Sequence, residues 1–387
     1  MTMQQSDLLR FLPIREYRLL HANPEINYQL NRFLVPGAEA IVAGIGARIR
    51  TLPDWPAEFL AAAGDSERQG DLARAAAFYR AALFFMRPAD PATREAFDRF
   101  IDCFDRSPSA SAIERFRAPY AGSGLHGFRM RASEAPARGS VVIFGGFDSH
   151  AEEFLALGNA VTVQGYDVVI FDGPGQGTTL MRESLPMTPE WERPVAAILD
   201  HFDLSGVNLI GISLGGYLAL RAAAFEPRIA RVVACDALLD LFDCVAANRG
   251  ALRGRMLDLA LRLRLGAVVD RVVGRIMAHD EFARWAVEHG MHVMGRATPA
   301  AFFEASRHYN GRAISREVRQ DVFVMAAAED HLVPHWQFFE QMALLSRARS
   351  VTGEILTRQD NAQAHCHVGN LSLAVFRIMR WIEAHDQ

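Results

Sequence analysis

The chain has 387 residues, of which half are hydrophobic and 22% are charged, and its formal net charge is −4. This length allows either one large domain with an appendage or two domains. The sequence has no long block of acidic or basic residues, which argues against a nucleic-acid or membrane-surface partner. All 41 basic residues are arginine, which excludes mechanisms that need a Schiff-base lysine or a P-loop lysine.

The N-terminal segment, from residue 1 to about 118, is predicted to be helical. Small and apolar residues recur at helical spacing from Ser66 to Met86, residues 87–91 contain two prolines that break the pattern, and a second helix is expected from Ala92 to Phe104. We expect this segment to pack on the rest of the chain and to form one wall of a substrate pocket.

Two further features of the sequence concern the compartment. The first ten residues lack the apolar core of a signal peptide, and no apolar run approaches the roughly 20 residues of a membrane span. The four cysteines are scattered without a C-x-x-C pair, which favours free thiols in a reducing compartment. We therefore expect a cytoplasmic protein.

From about residue 119 the pattern changes to short apolar runs that alternate with helical stretches. The predicted strands are Leu125–Ala132 (at a sheet edge), Ser140–Phe144, Val168–Phe171, Val207–Ile210 and Arg231–Cys235. Helices are predicted between them, over Ala151–Gln164 and Trp191–Phe202. Such alternation predicts a mostly parallel sheet covered by helices.

The motif of greatest interest is Gly-Ile-Ser-Leu-Gly at residues 211–215, which fits the pattern G-x-S-x-G. It lies between a buried strand and a helix predicted over Leu218–Ala224, and strand, tight turn and helix together are typical of a nucleophile elbow. The flanking glycines suit so sharp a turn because a Cβ there would collide with neighbouring backbone. We predict that Ser213 is a nucleophile, with a plain βα turn as the alternative.

The alternation stops between residues 238 and 318. An amphipathic helix is predicted over Ala251–Ala278, with further helices over Phe282–Met294 and Pro299–Tyr309. Because this block is inserted between two strands of the sheet, we predict a helical cap over the strand C-termini. The alternative is an insertion that only covers the edge of the sheet.

The long arginine-rich helix of the cap also suggests membrane or nucleic-acid binding. We disfavour that interpretation because acidic residues nearby dilute the positive charge. These acids are Asp258, Asp270, Asp280 and Glu281.

After the cap, the strand–helix pattern returns. Strands are predicted over Asp321–Ala327 and Gly353–Leu356, and helices over His335–Leu345 and Leu371–His385. Each of these strands is followed by a loop that contains residues able to take part in acid–base chemistry.

A serine nucleophile needs a neutral imidazole to accept its proton and a carboxylate to orient that imidazole. Behind a nucleophile elbow these residues follow in the order serine, acid, histidine, each after a strand. Asp330 and His365 satisfy this order. The rival acids are Glu329 and Asp236.

The rival base is His367, two residues after His365 in the same loop. This His-x-His pattern raises the possibility of a metal site, but only Cys366 accompanies the two histidines as a further ligand. We therefore predict neither a metal nor a cofactor.

A developing oxyanion needs two preorganised N–H donors. One is predicted to be the backbone N–H of Leu214, directly after the nucleophile, and the other that of Phe147, with Gly146 as the alternative. Residues 172–177, Asp-Gly-Pro-Gly-Gln-Gly, lack the spacing of a phosphate-binding loop and predict a rigid turn that lines the pocket.

Several of these motifs together resemble one branch of a known family. The matching stretches are Phe-Gly-Gly-Phe-Asp-Ser at 144–149 with Glu152-Glu153, the 172–177 loop, Gly-Ile-Ser-Leu-Gly-Gly at 211–216, Asp330 and His365-Cys366. They resemble the α/β-hydrolases of the dihydroxypseudooxynicotine hydrolase branch and the fungal heptaketide-shortening (yellowish-green pigment) hydrolases. The fermentation–respiration switch protein is a more distant relative. The resemblance covers residues from about 66 to 380.

The resemblance implies an α/β-hydrolase fold with a mostly parallel sheet. It implies an N-terminal helical segment (1–118), a catalytic core (119–237 and 319–387) and a helical cap (238–318) inserted after the strand that follows the elbow. It also implies cleavage of a carbon–carbon bond next to a ketone in an aromatic or polyketide-like substrate. Ser213 would be the nucleophile, Asp330 the acid and His365 the base.

The sequence departs from the bacterial carbon–carbon hydrolase of this branch in two ways. The stretch between nucleophile and acid is longer, and the extra substrate-handling glutamate of that enzyme has no clear counterpart, although Asp236, Asp240 and Asp243 lie in that region. The substrate and the bond type therefore stay open.

These observations predict a serine hydrolase for a bulky apolar or aromatic acyl substrate, acting through an acyl-enzyme or an activated water. Ester or thioester hydrolysis and acyl transfer or cyclisation are alternatives, and a non-catalytic ligand-binding protein is the alternative of another class. Candidate substrate contacts are Gly146, Asp148, Asp236 and Tyr217. We expect no nucleic-acid or membrane partner, and a homodimer stays open.

Overall fold

The structure is a computed structural model that describes residues 5–111, 113–236, 238–247 and 250–386. The first four residues of the segment expected to lack a signal peptide lie outside this description. The described N-terminal helices are α1 Gln5–Leu8, α2 Pro24–Arg32, α3 Glu39–Arg48, α4 Asp54–Arg68, α5 Leu72–Phe85 and α6 Pro91–Asp105.

Helices α5 and α6 begin where the sequence supplies capping residues. The Asp71 carboxylate accepts the N–H of Arg74, and the Asp90 carboxylate accepts the N–H of Ala92, directly after Pro91 at the first helical position. Helices α4 and α5 then pack through buried aromatic rings, and the indole N–H of Trp55 donates to the carbonyl of Ala81 at 2.7 Å. These contacts bury the apolar face of the N-terminal helices.

The strands form one eight-stranded sheet in the order β1-β2-β4-β3-β5-β6-β7-β8. Their bounds are β1 Glu114–Tyr120, β2 Ser123–Met130, β3 Gly139–Phe144, β4 Tyr166–Asp172, β5 Val207–Ile212, β6 Ile229–Cys235, β7 Asp321–Ala327 and β8 Ser350–Leu356. Only the pairs of β2 with β1 and with β4 are antiparallel. The prediction of a mostly parallel sheet is confirmed.

The edge of the sheet differs from the prediction. The strand expected at the edge is β2, but β1 lies outside it, in a stretch that was predicted to belong to the helical segment. The two strands form a hairpin whose turn residues Ala121 and Gly122 both have positive φ, a geometry typical of two-residue hairpin turns. Because β1 is mostly exposed, its alternation of polar and apolar residues gives only a weak signal.

The remaining helices lie between and after the strands of the sheet. Their bounds are α7 Leu155–Thr162, α8 Gly177–Glu183, α9 Glu192–Phe202, α10 Leu214–Phe225, α11 Leu241–Ala247, α12 Ala251–Arg262, α13 Gly266–His279, α14 Glu281–Val293, α15 Pro299–Ser306, α16 Trp336–Leu344 and α17 Leu371–His385. Helix α8 was not predicted.

Alternate side chains of each strand enter two different cores. Val141 and Ile143 of β3 pack with α7, α17 and the N-terminal helices, whereas Val142 and Phe144 pack with α9, α10 and most of the cap helices. The sheet is therefore covered on both faces, which explains why its central strands are almost continuously hydrophobic.

Residues 251–278 form two helices rather than the single helix that was predicted. Helix α12 ends because Arg264 adopts a left-handed conformation (φ 57°), with the N–H of Leu265 donating to the carbonyl of Ala260 and that of Arg264 to Leu261. This is a Schellman end, for which glycine is the usual residue. An arginine at that position gives no sequence signal for a break.

Two further observations bear on the sequence predictions. All four cysteines are free. Among the described residues, every helix is too short or too polar to span a bilayer.

A buried group of charges joins the N-terminal helices to the core. Nη2 of Arg80 lies 2.7 Å from Oε1 of Glu153, and Nη2 of Arg32 lies 3.0 Å from Oε2 of the same carboxylate. Burial alone raises the pKa of Glu153, but the two guanidinium groups lower it to about 2. Glu153 therefore holds two helices of the N-terminal segment against the sheet.

We expect Glu153→Gln to lower the free energy of unfolding by about 3–5 kcal/mol at neutral pH, because it leaves the buried guanidinium of Arg80 without a carboxylate partner and leaves Arg32 with Asp148 alone. Urea unfolding followed by tryptophan fluorescence measures the change. The control is Glu58→Gln, which breaks an exposed pair with Arg48 and should cost less than about 1 kcal/mol.

The same pair of proteins tests the pH dependence. A depressed carboxyl pKa stabilises the folded state above the unfolded pKa, and that stabilisation is lost as the pH falls toward about 2. The difference between wild type and Glu153→Gln should therefore shrink on acidification. A difference that is constant with pH, or equal losses in both variants, would contradict this role for Glu153.

Candidate active site

Ser213 occupies the sharp turn between β5 and α10, with φ 61° and ψ −128°. A Cβ on Gly211 would lie 1.9 Å from the carbonyl oxygen of Gly215, and a Cβ on Gly215 would lie 2.7 Å from that of Gly145. No side chain fits at either position. The N–H of Ser213 donates to the carbonyl of Cys235 at 2.6 Å, which fixes the turn against the next strand.

The loop after β8 brings His365 to this serine. Nε2 of His365 lies 2.9 Å from Oγ of Ser213, although 152 residues separate them in sequence. The imidazole is almost fully buried. The loop backbone is unusual, because both Cys366 and His367 have positive φ, a conformation that non-glycine residues adopt at a cost in free energy.

Asp330, in the loop after β7, contacts the other side of the imidazole. Its Oδ2 lies 2.7 Å from Nδ1 of His365, and its Oδ1 accepts the N–H groups of Leu332 and Val333 at 2.8 and 2.9 Å. Burial alone raises the pKa of Asp330, but His365 and these two N–H donors bring it below the usual value. An ionised Asp330 places the imidazole proton on Nδ1 and leaves Nε2 free to accept the serine proton.

The rival acids differ sharply in position. The carboxylate of Glu329 points outward and pairs with Arg358 at 2.6 and 2.8 Å. Asp236, at the end of β6, is buried and its Oδ2 lies 3.1 Å from Nδ1 of His365. The structure thus brings two carboxylates, Asp330 and Asp236, to the same nitrogen, with Asp330 the nearer.

Asp236 also holds the histidine loop. Its Oδ2 accepts the N–H of Cys366, and its Oδ1 lies 3.8 Å from Nε2 of His367. His367 is fully buried and its Nδ1 contacts the carbonyl of Ala362 at 3.2 Å. His367 therefore packs behind the loop and does not contact Ser213.

The loop after β3 lies against the first residue of α10. A Cβ on Gly146 would lie 2.7 Å from the amide nitrogen of Leu214. The N–H of Gly146 donates to Oγ of Ser149 at 3.0 Å, whereas within the described residues the N–H groups of Phe147 and Leu214 have no protein acceptor. These two amides are therefore the free donors beside Ser213.

The 172–177 turn supports this loop. The side-chain amide of Gln176 donates to the carbonyls of Gly145 and Gly146 at 2.7 and 3.0 Å. From the cap, Nε2 of His289 lies 3.1 Å from the carbonyl of Phe147. Both contacts fix the orientation of the peptide groups next to the serine.

Asp148 and Tyr217, the other two candidate substrate contacts, form contacts with residues of the protein itself. Asp148 pairs with Arg32 at 2.9 Å, and although burial alone raises its pKa, Arg32 and His289 bring it below the usual value. The hydroxyl of Tyr217 donates to the carbonyl of His308 at 3.3 Å. Both side chains hold neighbouring elements in place.

Tyr28, which the sequence analysis did not identify, lies beside the histidine. Its hydroxyl donates to the carbonyl of His365 at 3.1 Å, and its ring lies 4.7 Å from that of His331. Tyr28 is on α2, so an N-terminal helix forms part of the site. The Asn23-Pro24 start of that helix is visible in the sequence, but nothing there indicates a contact more than 300 residues away.

One group of potential metal ligands lies at the site. Asp236, His365 and Cys366 bring potential ligand atoms close together. However, Nδ1 of His365 contacts Asp330 and Nε2 contacts Ser213. The imidazole therefore has no nitrogen free for a metal.

Sequence comparison matches more than half of the chain to one family model. The sequence model of the alpha/beta hydrolase fold family matches residues 139–352, more than half of the chain. The hydrolase acrC of Aspergillus aculeatus is 32% identical over 294 residues, 67% of each chain. The 20-hydroxy-prefusarin hydrolase FUS2 of Gibberella moniliformis is 33% identical over 253 residues, which are 59% of this chain and 58% of FUS2.

Solved structures share the fold over nearly the whole chain. The 2,6-dihydroxy-pseudo-oxynicotine hydrolase superposes with a TM-score of 0.66 at 18% identity, covering 91% of this chain and 94% of that one. The protein AbyA5 superposes with a TM-score of 0.67 at 22% identity, covering 93% and 95%. The superposed parts of this chain include the N-terminal helices and the cap as well as the sheet.

The two histidines of the loop should differ in their effect on Ser213. We expect His365→Ala to lower the rate of Ser213 labelling by a fluorophosphonate by about 10³-fold or more, because it removes the one imidazole that contacts the hydroxyl among the described residues. His367→Ala should leave that rate within about tenfold of wild type. Equal loss in the two variants, at equal folded fraction by circular dichroism, would contradict this assignment.

The labelling rate should also report the charge around His365. Burial alone lowers the pKa of His365, but Asp330, Cys366, Tyr28 and Asp236 together raise it well above the usual value for histidine, which is about 6.5. Because only the neutral imidazole accepts the serine proton, the rate should rise with pH and reach half its maximum above pH 6.5.

Asp330→Asn tests the source of this shift. It removes one negative charge from the imidazole and should move the midpoint to lower pH while reducing the maximal rate. The control Glu329→Gln, which changes the neighbouring exposed carboxylate, should leave the midpoint in place. A midpoint that moves equally in both variants would rule out a direct effect of Asp330.

Proposed function

The chain belongs to the alpha/beta hydrolase fold family, and on this premise we propose that it is a serine-dependent hydrolase that cleaves a carbon–carbon bond next to a ketone in an aromatic or polyketide-like substrate. The observation that carries the proposal is the continuous chain of contacts from Ser213 through His365 to Asp330. It supplies a nucleophile, a base and an orienting carboxylate in one line.

In the proposed reaction, Oγ of Ser213 attacks the ketone carbon while Nε2 of His365 takes the hydroxyl proton. The resulting oxyanion accepts the N–H groups of Phe147 and Leu214. The carbon–carbon bond then breaks, its electron pair passes to the leaving carbon, and the imidazolium of His365 returns a proton to that carbon. A leaving carbon flanked by a second carbonyl stabilises this charge as an enolate.

Water completes the proposed cycle. His365, neutral again, takes a proton from a water molecule that attacks the acyl group on Ser213. The acyl–oxygen bond breaks, the serine recovers its proton, and a carboxylic acid is released. A variant of the mechanism has the histidine activate water directly, without an acyl-enzyme.

Relatives support the substrate class. FUS2 is named for hydrolysis of 20-hydroxy-prefusarin, and a protein of similar fold is a 2,6-dihydroxy-pseudo-oxynicotine hydrolase. The wall of the site is formed by the cap and by the loop after β3 (residues 145–150), which we call the oxyanion loop. This wall is apolar and aromatic, with Phe147 packed near His289 and Phe302. Such a wall favours a bulky apolar acyl group.

The second candidate function is ester or thioester hydrolysis, because the same residues serve any acyl transfer. A third, of another class, is a ligand-binding protein that retains a pocket without turnover. The contact of 2.9 Å between the serine and the histidine argues for catalysis. Localisation in the cytoplasm belongs to the proposal as well.

Fluorophosphonate labelling tests the nucleophile. We expect one adduct per wild-type chain by intact mass spectrometry and none in Ser213→Ala, because among the described residues no other hydroxyl contacts the imidazole of His365. Denatured wild-type protein is the control for non-specific reaction. An adduct that persists in Ser213→Ala would refute the assignment, and absence of any adduct would favour the binding protein.

Paired substrates then test the bond type. An aryl β-diketone and the ester with the same acyl group should both acylate Ser213, and carbon–carbon cleavage should release one carboxylic acid and one ketone per turnover. Hydrolysis of the ester alone would favour the second candidate function.

A further inference from the structure

The outer helices of the cap expose an unusual set of apolar side chains. Of the sixteen large hydrophobic residues that are exposed in the described part of the chain, eight lie between residues 252 and 276. We call these eight the cap ridge: Leu252, Met256, Leu259 and Leu263 on and just after α12, and Leu265, Val268, Val272 and Ile276 before and on α13. They are 39% to 71% exposed.

The spacing of the cap ridge shows that it is an ordered feature. Residues 252, 256, 259 and 263 follow the i, i+4, i+7, i+11 pattern of one helix face, and 268, 272 and 276 also recur at helical spacing. Other side chains of the two helices pack inward: Leu261 lies opposite the stripe of α12 and Val269 lies at the side of that of α13, and both are buried in the core shared with α15. Each helix therefore has an apolar inner face and a second apolar face that the chain itself leaves uncovered.

Arginines accompany the cap ridge. Arg253, Arg255, Arg264, Arg271 and Arg275 are all exposed, and none forms an ion pair within the described residues. On a helical projection Arg253 and Arg255 lie on the two sides of the α12 stripe, and Arg271 lies beside that of α13. The ridge is thus an apolar stripe bordered by unpaired positive charge.

The four acidic residues that lie near these arginines in the sequence form contacts with other partners in the structure. Asp258 contacts Arg262 at 2.7 Å and Arg307 at 3.4 Å, and Asp270 accepts the N–H of Ala300 at 2.8 Å. Glu281 accepts the N–H of Leu52, and Asp280 that of Ala283. Residues 252–276 contain no acid other than Asp258 and Asp270, so the exposed charged side chains next to the cap ridge are arginines.

We propose that the cap ridge is a docking surface for an anionic lipid bilayer, on which α12 and α13 lie in the plane of the interface. Apolar side chains bordered by arginine are the composition of interfacial helices, whose apolar face enters the acyl boundary while the cations meet lipid phosphates. The proposal does not depend on the proposed function.

Composition and charge favour this occupant over a protein. Residues 252–276 consist only of Leu, Met, Val, Ile, Ala, Gly, Arg and Asp, without the tyrosine, tryptophan and phenylalanine side chains that are enriched in protein interfaces. A second copy of the chain would also set five unpaired arginines against five others with no free carboxylate between them. A leaflet of anionic lipid offers hydrocarbon and phosphate together.

Sedimentation of the full-length chain with sucrose-loaded vesicles tests the proposal. We expect binding to mixed phosphatidylcholine and phosphatidylglycerol vesicles, weaker binding to phosphatidylcholine alone, and release by salt. Arg253→Gln with Arg255→Gln should weaken binding to the mixed vesicles by roughly fivefold per arginine, whereas Arg316→Gln with Arg319→Gln, two exposed arginines outside the cap ridge, should not. Equal effects of the two pairs would overturn the proposal.

The apolar side chains are tested separately. The triple variant Leu252→Gln, Met256→Gln, Leu263→Gln should lose sedimentation, and the matched variant Leu19→Gln, Ile41→Gln, Leu371→Gln, changed at exposed residues elsewhere, should keep it. Circular dichroism checks that both fold. No wild-type sedimentation, undiminished sedimentation of the cap triple variant, or a wild-type dimer by light scattering that only this variant dissociates, would each overturn the proposal.

Discussion

The strained backbone at Ser213 is the constraint on which the rest of the site depends. A positive φ at a residue with a side chain costs free energy, and it persists here because β5 and α10 approach so closely that Gly211 and Gly215 have no room for a Cβ. The same close approach places the oxyanion loop against the first amide of α10. Thus one tight turn both lifts the hydroxyl out of the sheet and positions the N–H donors that we assign to the oxyanion.

The charge balance around His365 is the second determinant. Two buried carboxylates, Asp330 and Asp236, lie within 3.1 Å of one nitrogen of its ring. They differ in their other partners: Asp330 is held by two backbone N–H groups of its own loop, whereas Asp236 accepts the N–H of Cys366 and anchors the loop that carries the histidine. Asp330, the nearer carboxylate, is therefore suited to orient the imidazole ring. Asp236 is suited to support the strained loop that carries His365.

The helices outside the sheet complete the site from two sides. Helix α2 contributes Tyr28 to the histidine and Arg32 to the ion pairs of Glu153, while α14 of the cap contributes His289 to the oxyanion loop. The two sets of helices also contact each other, since the indole N–H of Trp285 donates to the carbonyl of Phe84 at 2.7 Å. The inner faces of both sets of helices contact the site. The outer face of the cap, which carries the cap ridge, stays exposed and is the surface that we propose for docking.

The sequence by itself determined the fold class, because hydrophobic periodicity and the glycines of the elbow are local signals, and it ordered serine, acid and histidine along the chain. It favoured Asp330 over Glu329 and Asp236, but all three follow strands, and only the tertiary structure turns Glu329 outward and brings Asp236 to the same imidazole nitrogen. It missed Tyr28, the strand β1 and the break at Arg264, which leave no local pattern. Packing sets the contacts between residues that are hundreds of positions apart. It also sets which partners the acidic residues of the cap contact. No single stretch of sequence encodes either.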